Sequence, residues 1–217
     1  VSVADFGAVG DGMTLCTEAF AQAIDQLSAQ GGGTVNVPDG IWLTGPIVLK
    51  DNIELHLSNH AMILFSSDRS LYPLTEIIFE GLNTWRMQSP ISARGVKNVA
   101  ITGGGVIDGG GDAWRMVKQS KVTDSAWKKL VASGGIVDGT NWFPTESYLR
   151  GQKGATDQNV NENMRTKEDF EPIRDFLRPV LVAIHNCDNV LLEGVTFQNS
   201  PCWTIHPAIC TNLTIDG

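Results

Sequence analysis

The sequence predicts an all-β protein wound as a parallel β-helix, with a capping helix at its N-terminal end and a partly helical insertion. Three features point there. Short alternating strands recur between turn residues, an Asn returns just ahead of several of them, and a single amphipathic helix precedes the first strand.

The helix comes first. Thr17 can cap it, Phe20, Ile24 and Leu27 form one apolar stripe at i, i+4 and i+7, and Gly31-Gly32-Gly33 stops it. Such a helix would cover the open end of the first coil. Strand signals follow. Thr34-Val35-Asn36-Val37 runs into the turn Pro38-Asp39-Gly40, and Ile41-Trp42-Leu43 resumes. Ile53-Glu54-Leu55-His56-Leu57, Val99-Ala100-Ile101 and Val190-Leu191-Leu192-Glu193-Gly194-Val195 continue the pattern. A sandwich would favour Asn-Gly hairpin turns, and the chain has none. A doubly wound fold would want a helix after nearly every strand, and only one lies outside the insertion.

The Asn pattern gives the repeat. Asn52-Ile53, Asn98-Val99, Asn189-Val190 and Asn212-Leu213 are separated by 46, 91 and 23 residues. We take 23 as one coil and 46 as two, and set the 91 aside because it contains the insertion. Cys187 and Cys210 share one phase, also 23 apart. They would stack in neighbouring coils at roughly 4.8 Å, as a small apolar ladder or, alternatively, a disulfide.

Charge marks the insertion. Residues 112–178 hold 11 of the 16 basic residues and 10 of the 24 acidic ones, with Trp114, Trp127 and Trp142 expected to form a small core there. The expected layout is therefore cap 1–33, coils 34–111, insertion 112–178 and coils 179–217. A net charge of −8 argues against a nucleic-acid or anionic-membrane surface. No run approaches the roughly 18 apolar residues of a membrane span. The four Cys form no Cys-x-x-Cys pair and only four His are present, so structural zinc is not expected, and no other cofactor is assigned. Val1-Ser2-Val3 shows neither an initiator Met nor a signal-peptide pattern, which suggests a processed or trimmed start.

Asp5-Phe6-Gly7-Ala8-Val9-Gly10-Asp11-Gly12 and Gly31-Gly32-Gly33-Thr34-Val35-Asn36-Val37-Pro38 resemble the opening of pectin-active β-helix proteins. Two later segments narrow this: Asn98-Val99-Ala100-Ile101-Thr102-Gly103-Gly104-Gly105-Val106-Ile107-Asp108-Gly109, and Asn199-Ser200-Pro201-Cys202-Trp203-Thr204-Ile205-His206-Pro207. With Arg178-Pro179-Val180-Leu181 between them, they are similar to the polygalacturonase-like glycoside hydrolases, family 28. The resemblance implies a right-handed helix and inverting hydrolysis of galacturonosyl linkages in a pectic polysaccharide or oligogalacturonide. It also implies a secreted or periplasmic enzyme. Inversion needs two carboxyls roughly 6.5–9.5 Å apart. The family takes them from Asn-Thr-Asp and Asp-Asp, with His-Gly and Arg-x-Lys further on. The first three are absent, and Arg165-Thr166-Lys167 matches only by letter, inside the insertion. No catalytic residue is assigned. The catalytic Asp residues are expected beyond residue 217, and this segment alone is expected to be inactive.

Candidate substrate-binding residues are Trp203, His206 and Arg178. An indole offers a flat face to a sugar, an imidazole can serve a carboxylate or hydroxyl, and a guanidinium can pair bidentately with a uronate. Equally, Trp203 and His206 would fix the coil, and Arg178 would tie the insertion back. Asp5, Asp11 and Asp108 read as turn residues beside glycines. Nucleotide binding is set aside because neither glycine run has the required spacing. The alternatives are a Ca²⁺-dependent lyase of the same fold and a non-catalytic glycan-binding module. An insertion beside the groove would favour exo cleavage, but exo and endo modes both stay open.

Overall fold

The computed structural model describes residues 1–154 and 164–217, so residues 155–163 of the expected insertion lie outside the described residues. The chain divides into two compact units. One comprises 1–72, 89–110 and 180–217, the other 73–88 and 111–179.

The first unit is the solenoid. Helix α1 (Thr17–Ala29) leads into a first coil of β1 (Gly33–Val37), β2 (Gly40–Thr44) and β3 (Ile47–Val48). The second coil holds β4 (Ile53–Leu57) and β5 (Ala61–Phe65). A hairpin of β6 (Leu74–Phe79) and β7 (Leu82–Met87) intervenes before β8 (Ile91–Arg94) completes that coil. The third begins with β9 (Lys97–Gly103) and β10 (Val106–Asp108). A long excursion then carries β11 (Val117–Lys118), α2 (Asp124–Ala132), β12 (Ile136–Asp138), β13 (Asn141–Phe143), α3 (Glu146–Gly154) and α4 (Lys167–Phe170). The third coil closes with β14 (Val182–His185). The fourth is β15 (Asp188–Glu193), β16 (Thr196–Gln198) and β17 (Ile205–Ala208), and β18 (Thr211–Asp216) follows.

Like positions of successive coils stack into three parallel sheets, ordered β1-β4-β9-β15-β18, β2-β5-β10-β16 and β3-β8-β14-β17. Alternation turns every second side chain inward. Val35, Leu55, Ile101 and Leu192 therefore form one buried column, in register from coil to coil. Ile47, Ile91 and Val182 form another.

The Asn residues mark one corner. Asn52, Asn98, Asn189 and Asn212 all take the left-handed conformation, with φ of 60°, 54°, 60° and 52°. The Asn98 amide donates to Asn52 Oδ1 and the Asn189 amide to Asn98 Oδ1, each at 2.7 Å. This corrects our count. The 46-residue interval is one coil carrying the hairpin, and the 91-residue interval is one coil carrying the long excursion. Glycines fill the next corner for steric reasons. A Cβ on Gly103 would lie 1.9 Å from the Leu57 carbonyl oxygen, and one on Gly104 2.4 Å from Asn59 Oδ1. The glycine run thus allows close coil contact. Cys187 and Cys210 are free thiols, which settles the ladder against a disulfide.

At the N-terminal end, Phe20 and Ile24 of α1 join the same core as Val35 and Ile53. Thr17 is not the cap. Cys16 holds that position without a side-chain bond, and Thr17 Oγ1 instead accepts the Gly45 N–H at 2.7 Å, pinning the helix to the first coil. Val1 and Ser2 pair along β1, and Asp11 bridges to Ile41 of β2.

The second unit has antiparallel pairing. The β6–β7 hairpin turns at Glu80-Gly81, both at positive φ, and β11, β13 and β12 form a small sheet. Arg86 is fully buried, with its guanidinium carbon 3.9 Å from the centre of the Phe79 ring. Trp114 and Trp142 are buried, while Trp127 is half-exposed because α2 buries no residue. Tyr148 packs edge-on against Phe176, 5.6 Å between centroids.

Candidate functional site

The third sheet carries the candidate site on its outward face. Ile91, Ala93, Val182 and Ile184 point into the core, so the alternate positions point outward. These are Ser92 and Arg94 on β8, Ala183 and His185 on β14, and His206 and Ala208 on β17. The register pairs Ser92 with Ala183 and Ala183 with His206, then Arg94 with His185 and His185 with Ala208.

Trp203 enters from the loop 199–204. Asn199 turns the chain at φ 49°, and its amide donates to Asp108 Oδ1 at 3.1 Å. The Trp203 carbonyl accepts the Leu181 N–H at 2.8 Å and the Ser200 hydroxyl at 2.6 Å. This fixed backbone leaves the indole 40% exposed. It meets the His206 ring edge-on, with centroids 5.3 Å apart.

His206 also meets His185. Nε2 of His185 and Nδ1 of His206 are 3.2 Å apart, and the rings stand at 89°. His185 is 4% exposed. Burial pushes its pKa down to about 4, and His206 and Arg94 add to the effect. His185 is therefore neutral near pH 7.

Trp203 and His206 are brought together as one surface. Arg178 belongs to the second unit, where its carbonyl accepts Nε and Nη2 of Arg86 at 3.0 and 2.6 Å. His185 and Arg94 were missed in the sequence. A signal existed for His185, since His206 lies 21 residues on, two short of the coil repeat. Two residues is the spacing of like-facing side chains on a strand.

The acidic residues singled out by the sequence are occupied by turns. Asp5 accepts the Ser2 N–H, Asp11 those of Met13 and Thr14, and Asp108 that of Gly110. Arg165 and Thr166 donate backbone N–H groups to Asp169 in the capping box that starts α4. Among the described residues no group of three or more His, Cys, Asp or Glu could hold a metal ion.

These features define a right-handed parallel β-helix with an aromatic and imidazole surface on one outer face. No family model matches the chain. The chain is nonetheless polygalacturonase-like along its whole length. It is 34% identical to an exo-poly-alpha-D-galacturonosidase of Dickeya chrysanthemi, over 92% of this chain and 32% of that protein. A solved exopolygalacturonase from Thermotoga maritima shares 37% identity with a TM-score of 0.71, covering 99% of this chain and 45% of that one. The family 28 exopolygalacturonase of Yersinia enterocolitica shares 26% identity with a TM-score of 0.69, covering 100% and 38%. The chain spans about a third of the length of the curated relatives it matches.

Proposed function

We propose that the protein is an exo-acting pectic glycoside hydrolase, and that these coils supply part of its substrate-binding surface. The observation that carries this is the unbroken likeness to the Thermotoga maritima exopolygalacturonase over 99% of the chain. The substrate class follows from that likeness and from the chemistry of the outer face. A sugar ring can stack on the Trp203 indole while its carboxylate meets His206, with Arg94 two coils back on the same sheet, beside His185.

Hydrolysis with inversion needs one carboxyl as general acid and a second to activate water. Asp5, Asp11 and Asp108 accept backbone N–H groups in their own turns. Their role is structural, and we assign the described coils to binding. A mechanism of this kind uses no metal, and a pectic substrate fits a secreted or periplasmic protein.

The test uses the protein purified from its natural source, incubated with oligogalacturonides. Release of monomeric or dimeric galacturonate from chain ends, with inverted anomeric configuration by NMR, is the expected result. An unsaturated product absorbing in the ultraviolet, or binding with no new reducing ends, would overturn the reading.

A further inference from the structure

One contact on the outer face does chemistry that a sugar platform alone does not need. Two imidazoles meet through nitrogens 3.2 Å apart, one ring buried and the other only partly so. Only one proton fits on that line. If both rings were protonated, two N–H groups would face each other. If the pair holds one extra proton, the ring that carries it donates and the other accepts.

Burial decides which ring is charged. An imidazolium is costly where water is excluded, and His185 is 4% exposed. The charged groups facing His185 add to this: Arg94 sits beside it in register on β8, and His206 approaches from β17. Their charges disfavour a positive charge on His185 and, after burial, outweigh a hydrogen bond with His206 that favours it, in line with the lowered pKa. A neutral His185 keeps an Nε2 lone pair that can accept the Nδ1–H of a charged His206.

We propose that His185 is a positioning residue for His206: it fixes the orientation of that ring and directs the pair's proton to it, making His206 a cationic ligand for a sugar-acid carboxylate in mild acid. This rests on the reading that the outer face of the third sheet binds the substrate. His206 then holds its charge toward the substrate side of the pair, and uronate affinity rises as the pH falls. No bond is made or broken, and the proton comes from solvent.

The test is an NMR titration of the histidine ring nitrogens in ¹⁵N-labelled protein, assigned with His206→Gln. Wild type, His185→Phe and His185→Gln are compared, with circular dichroism to confirm folding. In wild type, His206 takes up the proton and His185 stays neutral. Phe removes the acceptor and lowers the His206 midpoint by about one pH unit, a tenfold loss of proton affinity. Gln restores an acceptor oxygen and recovers most of that shift. Digalacturonate is then titrated at two pH values. Wild type binds several-fold tighter at the acid pH, and His185→Phe flattens the difference. If His185 takes the proton, or His206 titrates alike in wild type and folded His185→Phe, the proposal is overturned. If the histidines couple as described but digalacturonate leaves both rings unperturbed, the binding-face reading fails while the proton assignment stands.

Discussion

Asn98 sits in the middle of the corner ladder, donating to Asn52 and accepting from Asn189, and it holds φ at 54°. Replacing it with Ala removes two hydrogen bonds. Both are solvent-exposed, so each falls near the low end of the usual range, about 0.5 kcal/mol. Ala also pays for the left-handed backbone, about 1–2 kcal/mol. The expected loss for Asn98→Ala is therefore about 2–3 kcal/mol. Asn98→Gly loses the same bonds but not the steric term. It instead pays about 0.5–1 kcal/mol for Gly's greater freedom in the unfolded chain, for a total near 1.5–2 kcal/mol. Urea unfolding followed by circular dichroism resolves that gap through the transition midpoint. Ala must be the worse of the two. If Gly proves more destabilising, or if both cost under about 0.5 kcal/mol, the ladder is not a source of stability and the argument fails.

Further predictions concern other parts of the solenoid. Glu54 accepts from Thr102 at 2.6 Å and Thr34 at 2.7 Å, and those bonds, in that order, hold its carboxyl below the usual range. A lowered pKa stabilises the fold above the unfolded value of about 4.3 and is lost as the pH falls through the folded one. The melting-temperature difference between wild type and Glu54→Gln should therefore shrink below pH ~4. Gly103→Ala should give no soluble folded protein, because its Cβ would meet the Leu57 carbonyl. Gly81→Ala, at φ 80° with nothing within 4 Å, should cost only about 1 kcal/mol by urea unfolding. Burial raises the Cys187 thiol pKa, so Cys187 should resist iodoacetamide in native protein and react on unfolding, as read by peptide mass spectrometry.

The sequence showed the winding and hid the interruptions. Inward columns such as Val35, Leu55 and Ile101 impose strict alternation, and alternation is visible in a linear string. The Asn ladder is visible because Asn tolerates the left-handed corner that β-branched neighbours do not. The interval of 46 was misread because the hairpin inside it turns on Glu80-Gly81, a pair without the Asn-Gly signature. Thr17 looked like a cap because Thr caps many helices, but its hydroxyl is claimed by Gly45, 28 residues on. The site was half legible. Trp203 and His206 lie in a motif that can be quoted. His185 matters only because the fold sets it diagonally across from His206, and its one trace in the sequence is the 21-residue spacing, two short of the coil repeat.

The winding is interrupted at one place in each turn. The second sheet hands over to the third through residues 45–46 in the first coil, 66–90 in the second, 109–181 in the third and 199–204 in the fourth. Across the longest of these, Asn189 still hydrogen-bonds Asn98. The cost of closing a loop grows only logarithmically with its length, so a segment added there leaves the core columns aligned. The corner at Gly103 and Gly104 allows no such growth, since even one methyl group collides with the coil beside it. A lineage built on this scaffold can therefore diversify by exchanging whole loops at a single address along the chain, the handover into the strands that carry His185 and His206.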